Sequence, residues 1–187
     1  MWCKSYRVLP LDECEGDKSK LHGAGTSDLA DALEEIDDIA MAVSQALEIE
    51  VKHGGDRAFY QPTRDFICLP PFEAFEGEVP YRATLLHEAT HATGHKSRCD
   101  RQFGDRFGDQ AYAFEELVAE LGSAYLQGAL GIDMELPNHA SYIANWLKVL
   151  KGDPKAVMTA ASKAQQAVDY LLDRLEIAEA PVYEEAA

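Results

Sequence analysis

Basic residues are scarce in this chain. Against 33 Asp and Glu there are 17 Lys and Arg, a formal charge of -16, and no Lys/Arg cluster stands out. Such a balance repels phosphate backbones, so nucleic acid binding by this chain alone is not expected. Cysteine is sparse as well: Cys3, Cys14, Cys68 and Cys99 are scattered, with no CxxC pair. That argues against a dense disulfide framework and fits a reducing interior, although a single bridge stays open. Long apolar runs are also missing. No segment approaches the roughly 20 apolar residues of a membrane span, and MWCKSYRVLPLDECEGDKSK has no apolar stretch long enough for a secretory signal. The expectation is a soluble, cytoplasmic protein without a membrane partner. What is present is enough apolar content, 47% of 187 residues, to bury one core.

Along the chain, residues 1–25 are polar and lack periodicity, which reads as a tail or linker. From Thr26, capping residues precede Leu29, Leu33, Ile36, Ile39, Ala40 and Val43 at helical spacing, predicting an amphipathic helix. LEIEVKH switches to period two and predicts a strand. RAFY and FICL flank the turn formers of QPTRD, which predicts a hairpin. Pro80 suits the first position of a helix that Gly94 can end. Further helices are expected from about Ala111 to Leu130, His139 to Leu150 and Pro154 to Ile177. One helix, about three strands and a run of helices make an α+β fold, with one domain at 26–178 and a C-terminal tail at 179–187.

The segment LLHEATHATGHKSRCD, residues 85–100, carries half of the chain's histidines. On a helix His87 and His91 lie one turn apart on one face and can reach the same ion, with Glu88 beside them. HExxH is the pattern in which two neutral imidazoles hold Zn2+ (another divalent metal being possible), the metal lowers the pKa of bound water, and the glutamate takes its proton as the water attacks a peptide carbonyl. Glu88 is thus the candidate general base. Chance would produce this motif in such a composition about 0.02 times, so it is informative but needs a third ligand.

The third ligand has several candidates. Continuing the motif as HExxHxxGxxH requires a histidine at position 97, which is Ser97. His95 follows the glycine expected to end the helix and makes no standard ligand spacing. FEELVAELGSAYL offers Glu116 and Glu120, four apart on one face: Glu116 is expected to ligate and Glu120 to orient a ligand histidine. Glu115, about 100° round an ideal helix from Glu116, is the adjacent alternative. The plainer reading makes all of these ordinary solvated side chains. Against it, the acids sit inside an otherwise apolar run, where a charge needs a partner, and Ala119, Gly122 and Ser123 would let two helices approach closely. His22, His53 and His139 have no such company. Tyr112, Tyr125 and Tyr142 are candidate oxyanion donors, none singled out.

HEATHATGHKSRCDR, FGDQAYAFEELVAELGSAYL, HGGDRAFYQPTRDFICLPPFEAF and SYIANWLKVLKGDPKAVMTAASKAQQAVDYLL together resemble the C-terminal zincin-like metallopeptidase domain of ArdC-type antirestriction proteins, from about Val8 to Leu172. The resemblance implies a zincin-like fold, with a small, mostly antiparallel sheet packed on helices. It also implies a setting on a mobile genetic element. His87, Glu88 and His91 match the family's HExxH, and Glu116 falls in its EELVAE segment. Family members join this domain to an N-terminal domain that binds single-stranded DNA; YRVLPLDECEG resembles the joining segment, so that domain is expected to be absent here. Two functions then compete. One is a zinc peptidase acting on a peptide or protein, with an edge near Arg57 to Tyr60 receiving an extended substrate. The other is a non-catalytic interaction module whose acidic surface mimics DNA. Oligomeric state is not legible.

Overall fold

The computed structural model describes residues 36–101, 110–132 and 155–179. Four α-helices and a three-stranded sheet are built from them: α1 (Ile36–Leu47), β1 (Glu50–His53), β2 (Phe59–Gln61), β3 (Phe66–Leu69), a 3-10 turn (Phe72–Ala74), α2 (Glu78–Thr93), α3 (Gln110–Ala129) and α4 (Ala156–Glu179). The expected tail at 1–25, the start of the first helix, the 139–150 helix and all but the first residue of the 179–187 tail lie outside the described residues.

The architecture is α+β, as the element order predicts, but the sheet is mixed rather than mostly antiparallel. Strand order is β1-β3-β2; β2 pairs antiparallel with β3 as the hairpin expectation requires, whereas β1 pairs parallel with β3, Val51 opposite Ile67 and His53 opposite Leu69. The cause is the connection after β1, which passes over the end of β3. The Gly54 N–H donates to the Leu69 carbonyl at 2.8 Å, and Gly55 takes a φ of 71° that only glycine adopts freely. The most apolar strand, whose Ile67 and Leu69 are fully buried, therefore takes the centre. This leaves β2 at an edge.

Helix α1 buries Ile39, Ala40, Val43, Ala46 and Leu47 at three- and four-residue spacing against the sheet and α4. Helix α2 starts two residues before Pro80; proline is tolerated because the first-turn N–H groups have no partner within the helix. Its Tyr81, Leu85, Leu86, Ala89 and Ala92 join the core with Leu126 of α3 and Val168, Leu171 and Leu175 of α4. Each such leucine contributes about 2 kcal/mol on leaving water. A second cluster, Ala113, Leu117 and Val118 of α3 with Ala156, Ala160 and Ala164 of α4, lets two backbones lie close. Helix α3 is held between α4 and α2. At the α2–α3 crossing Gly122 is required: a Cβ there would stand 2.5 Å from Thr90 Cγ2.

Candidate metal centre

Helices α2 and α3 meet on their polar sides. His87, Glu88 and His91 come from one and Glu115, Glu116 and Glu120 from the other. Both imidazoles aim Nε2 at a shared point, with the two nitrogens 3.1 Å apart. The Glu116 carboxylate closes the third corner, Oε1 3.4 Å from His91 Nε2 and Oε2 3.8 Å from His87 Nε2. The three ligand atoms lie within 4.8 Å of one another, and the side chains are 16%, 12% and 18% exposed, nearly dry yet reachable. A four-coordinate ion with bonds of about 2.0–2.1 Å sets its ligand atoms about 3.3–3.4 Å apart. The observed separations bracket that value, so the residues present fit such an ion.

The other ring nitrogens point away, each to a different acid. His87 Nδ1 lies 3.4 Å from Glu120 Oε1, and His91 Nδ1 donates to Glu115 Oε1 at 3.2 Å. Glu120 therefore lies on the far side of the His87 ring from Nε2. Glu115, considered as an alternative ligand, points instead at the far side of the His91 ring, because adjacent helical residues diverge by about 100°. His95 is not part of the cluster: its Nδ1 is 2.8 Å from Ser97 Oγ and 3.9 Å from Asp65 Oδ2. The Tyr112 hydroxyl donates to Glu116. His53 bonds the Tyr81 hydroxyl at 2.7 Å, away from this cluster. His22, His139 and Tyr142 lie outside the described residues.

The electrostatics follow from burial. Desolvation pulls His91 down, but hydrogen bonds to Glu115 and Glu116 overcome it and raise the pKa to about 10. Desolvation, reinforced by the His91 charge, pushes His87 down to about 3. Burial and then the Glu116 charge lift Glu120 to about 7. Glu88, 8% exposed, is raised mainly by burial, against the pull of His91 and of a hydrogen bond from the Tyr60 main-chain N–H. That bond places the β2 edge directly against Glu88.

Two arginines of the segment following α2 are absent from the sequence-based site. Arg101 forks onto Glu115, Nη2 to Oε1 at 2.8 Å and Nε to Oε2 at 3.0 Å. Arg98 turns the other way, donating to both oxygens of Asp65, to the Tyr60 hydroxyl at 3.2 Å, and to the carbonyls of Ala92 at 2.7 Å and Leu47 at 3.2 Å. The one hint of either was a polar segment rich in Arg immediately after a motif helix.

The chain is similar to proteins of known family and structure. Residues 38–163 match the sequence profile of a family described as zincin-like metallopeptidase, MPTase-PolyVal. The chain is 47% identical over 127 residues to the protein y4eC of Sinorhizobium fredii, covering 67% of this chain and 41% of that one. It is 45% identical over 118 residues to the DNA primase TraC of Escherichia coli, covering 63% of this chain but 8% of the primase. The chain therefore spans less than half the length of these relatives. The Mn(II)-bound crystal structure of the antirestriction protein ArdC from plasmid R388 matches with a TM-score of 0.64 and 40% identity, over 73% of this chain and 52% of that one. Its metal-free form matches at 0.62 and 41%, over 74% and 51%.

Proposed function

The chain belongs to the zincin-like metallopeptidase family, and we propose that it is a zinc-dependent hydrolase of amide bonds in a peptide or protein, acting in the cytoplasm. The observation that carries this is the convergence of His87 Nε2, His91 Nε2 and the Glu116 carboxylate at tetrahedral spacing, with the buried carboxyl of Glu88 next in sequence to His87. Two histidines and a glutamate are a donor set suited to Zn2+, and the Mn(II) in the related ArdC structure supports a divalent ion. When bound, such an ion polarises a substrate carbonyl and makes water a nucleophile near neutral pH.

The protein's residues do the rest. Glu88 takes the proton of the attacking water and returns it to the departing amide nitrogen, a role for which a carboxyl raised by burial is suited. The Glu115 and Glu120 carboxylates orient the two imidazoles through Nδ1. The edge strand β2, whose Tyr60 N–H reaches Glu88, supplies main-chain groups that could align an extended substrate beside the base.

The test is turnover of an unfolded protein such as reduced casein by the purified chain. Cleavage should vanish on chelation and return with Zn2+, and Glu88→Gln should fall at least about 100-fold while retaining its metal. Cleavage by Glu88→Gln at the parent rate would refute the proposal. A second reading is favoured by the charge of -16 and by the antirestriction relative: a non-catalytic, metal-containing module whose acidic surface mimics DNA. Antirestriction activity that survives Glu88→Gln would select it.

A further inference from the structure

Each of the two histidines is backed by an acid. Behind His91 stands Glu115, and behind Glu115 stands Arg101, whose guanidinium is spent entirely on this corner. Nε and Nη2 hold the carboxylate in a two-pronged fork, Nη2 also donates to the Thr90 carbonyl at 2.6 Å, and Nη1 donates to Thr93 Oγ1 at 2.7 Å. The Arg101 and Glu115 side chains are 4% and 5% exposed. Behind His87 stands Glu120, its Oε1 3.4 Å from Nδ1.

A fork of this kind has a directional consequence. With both oxygens of Glu115 fixed by a cation that cannot lose its proton, Oε1 accepts a hydrogen bond and cannot donate one. His91 must then keep its hydrogen on Nδ1, so the hydrogen it can give up to a metal is the one on Nε2, which faces His87 Nε2 and Glu116. Thr90 and Thr93 belong to the same helix as His91, and Glu115 to the facing one. Arg101 therefore also sets the distance between the two walls of the site.

We propose that Arg101 is a positioning residue for the metal centre: through Glu115 it locks His91 as a preformed ligand. The inference rests on the metal-site reading above. Nothing in HExxH or in the EELVAE segment requires an arginine at this position; the assignment comes from the fork itself.

The experiment is calorimetric titration of the full chain with Zn2+, paired with imidazole nitrogen NMR on the metal-free protein. Binding by the parent chain is established first; if the parent takes up no zinc, the metal reading itself fails. Given binding, Arg101→Met should weaken zinc by about 10- to 100-fold, and Glu115→Gln by a similar factor. The double variant should be no worse than either alone, because the residues act in series. The His91 Nδ1–H signal should lose its protection from solvent exchange in Arg101→Met, while the His87 spectrum changes little. Should Arg101→Met not fold, Arg101→Lys, which keeps the charge but loses the fork, carries the same measurements with a smaller loss. Unchanged zinc affinity in the folded variants, losses that multiply in the double variant, or a His91 Nδ1–H signal indifferent to Arg101 would overturn the proposal.

Discussion

Arg98 and Arg101 leave the same helix end, three residues apart and equally buried, yet they serve opposite walls of the protein. Arg98 joins the C-terminal ends of α1 and α2, through the carbonyls of Leu47 and Ala92, to Asp65 in the turn between β2 and β3. Arg101 joins α2 to Glu115 of α3. Between them Asp100 takes a φ of 48°, a left-handed conformation that aspartate tolerates better than most side chains, and the Arg101 N–H returns to the Gly94 carbonyl at 2.9 Å. Residue type sets what a side chain can hold, while the path of the backbone sets which layer it holds.

The sharpest way to break this division is Arg98→Met. It removes a buried guanidinium from several acceptors at once and leaves Asp65, among the described residues, facing Tyr60 and His95, so stability should fall by on the order of 3 kcal/mol. Zinc affinity of the folded fraction should change less than about threefold. A metal defect as large as that of Arg101→Met would show that both arginines serve the site. Chemical denaturation and calorimetry on the same variant decide it.

A smaller effect is expected at Gly122, on the Arg101 side. Gly122→Ala places a Cβ 2.8 Å from Thr90 Oγ1, whose hydrogen bond to the Leu86 carbonyl resists rotation. Overpacking costs about 1–3 kcal/mol, partly offset by about 1 kcal/mol of helix propensity. The net loss should come with weakened zinc binding, because Thr90 lies between the two ligand histidines. Normal zinc binding in this variant would mean that helix spacing is not what holds the ligands.

The smallest effect is in pH dependence. Burial alone would raise Asp65, but hydrogen bonds from Arg98 and Tyr60, the Arg98 charge and His95 outweigh it and hold the carboxyl below its usual range. A depressed folded pKa contributes stability that is complete above the unfolded value of about 4 and is lost as pH falls through the lower folded value. Urea midpoints of the parent chain should therefore decline on the acid side, and those of Arg98→Met should decline less. Parallel acid limbs would show that Arg98 does not hold Asp65 ionised.

Much of the site was legible because it is local. HExxH at helical spacing puts His87 and His91 on one face whatever the helix packs against, and Glu116 and Glu120 share a face of α3 for the same reason. Glu115 was harder to place. An acid in an apolar run announces that it needs a partner, but not whether the partner is a metal, an imidazole or a guanidinium. Arg101 and Arg98 carried no periodic signal, since an irregular segment has none, and their partners are separated from them in sequence. The parallel β1–β3 pair was missed for a related reason: alternation marks a strand but is silent about its neighbour.

By itself, then, the sequence determined the helices, the strands, the ligand-bearing faces and the family resemblance, all set by residue type and short-range spacing. Only the tertiary structure decided which wall each acid faces, that β3 lies between β1 and β2, and that Arg101 forks onto the acid behind His91. Those outcomes depend on where the backbone turns after a helix ends and on how closely two helices can approach. Both are settled by long-range packing and by hydrogen bonds that no local pattern encodes.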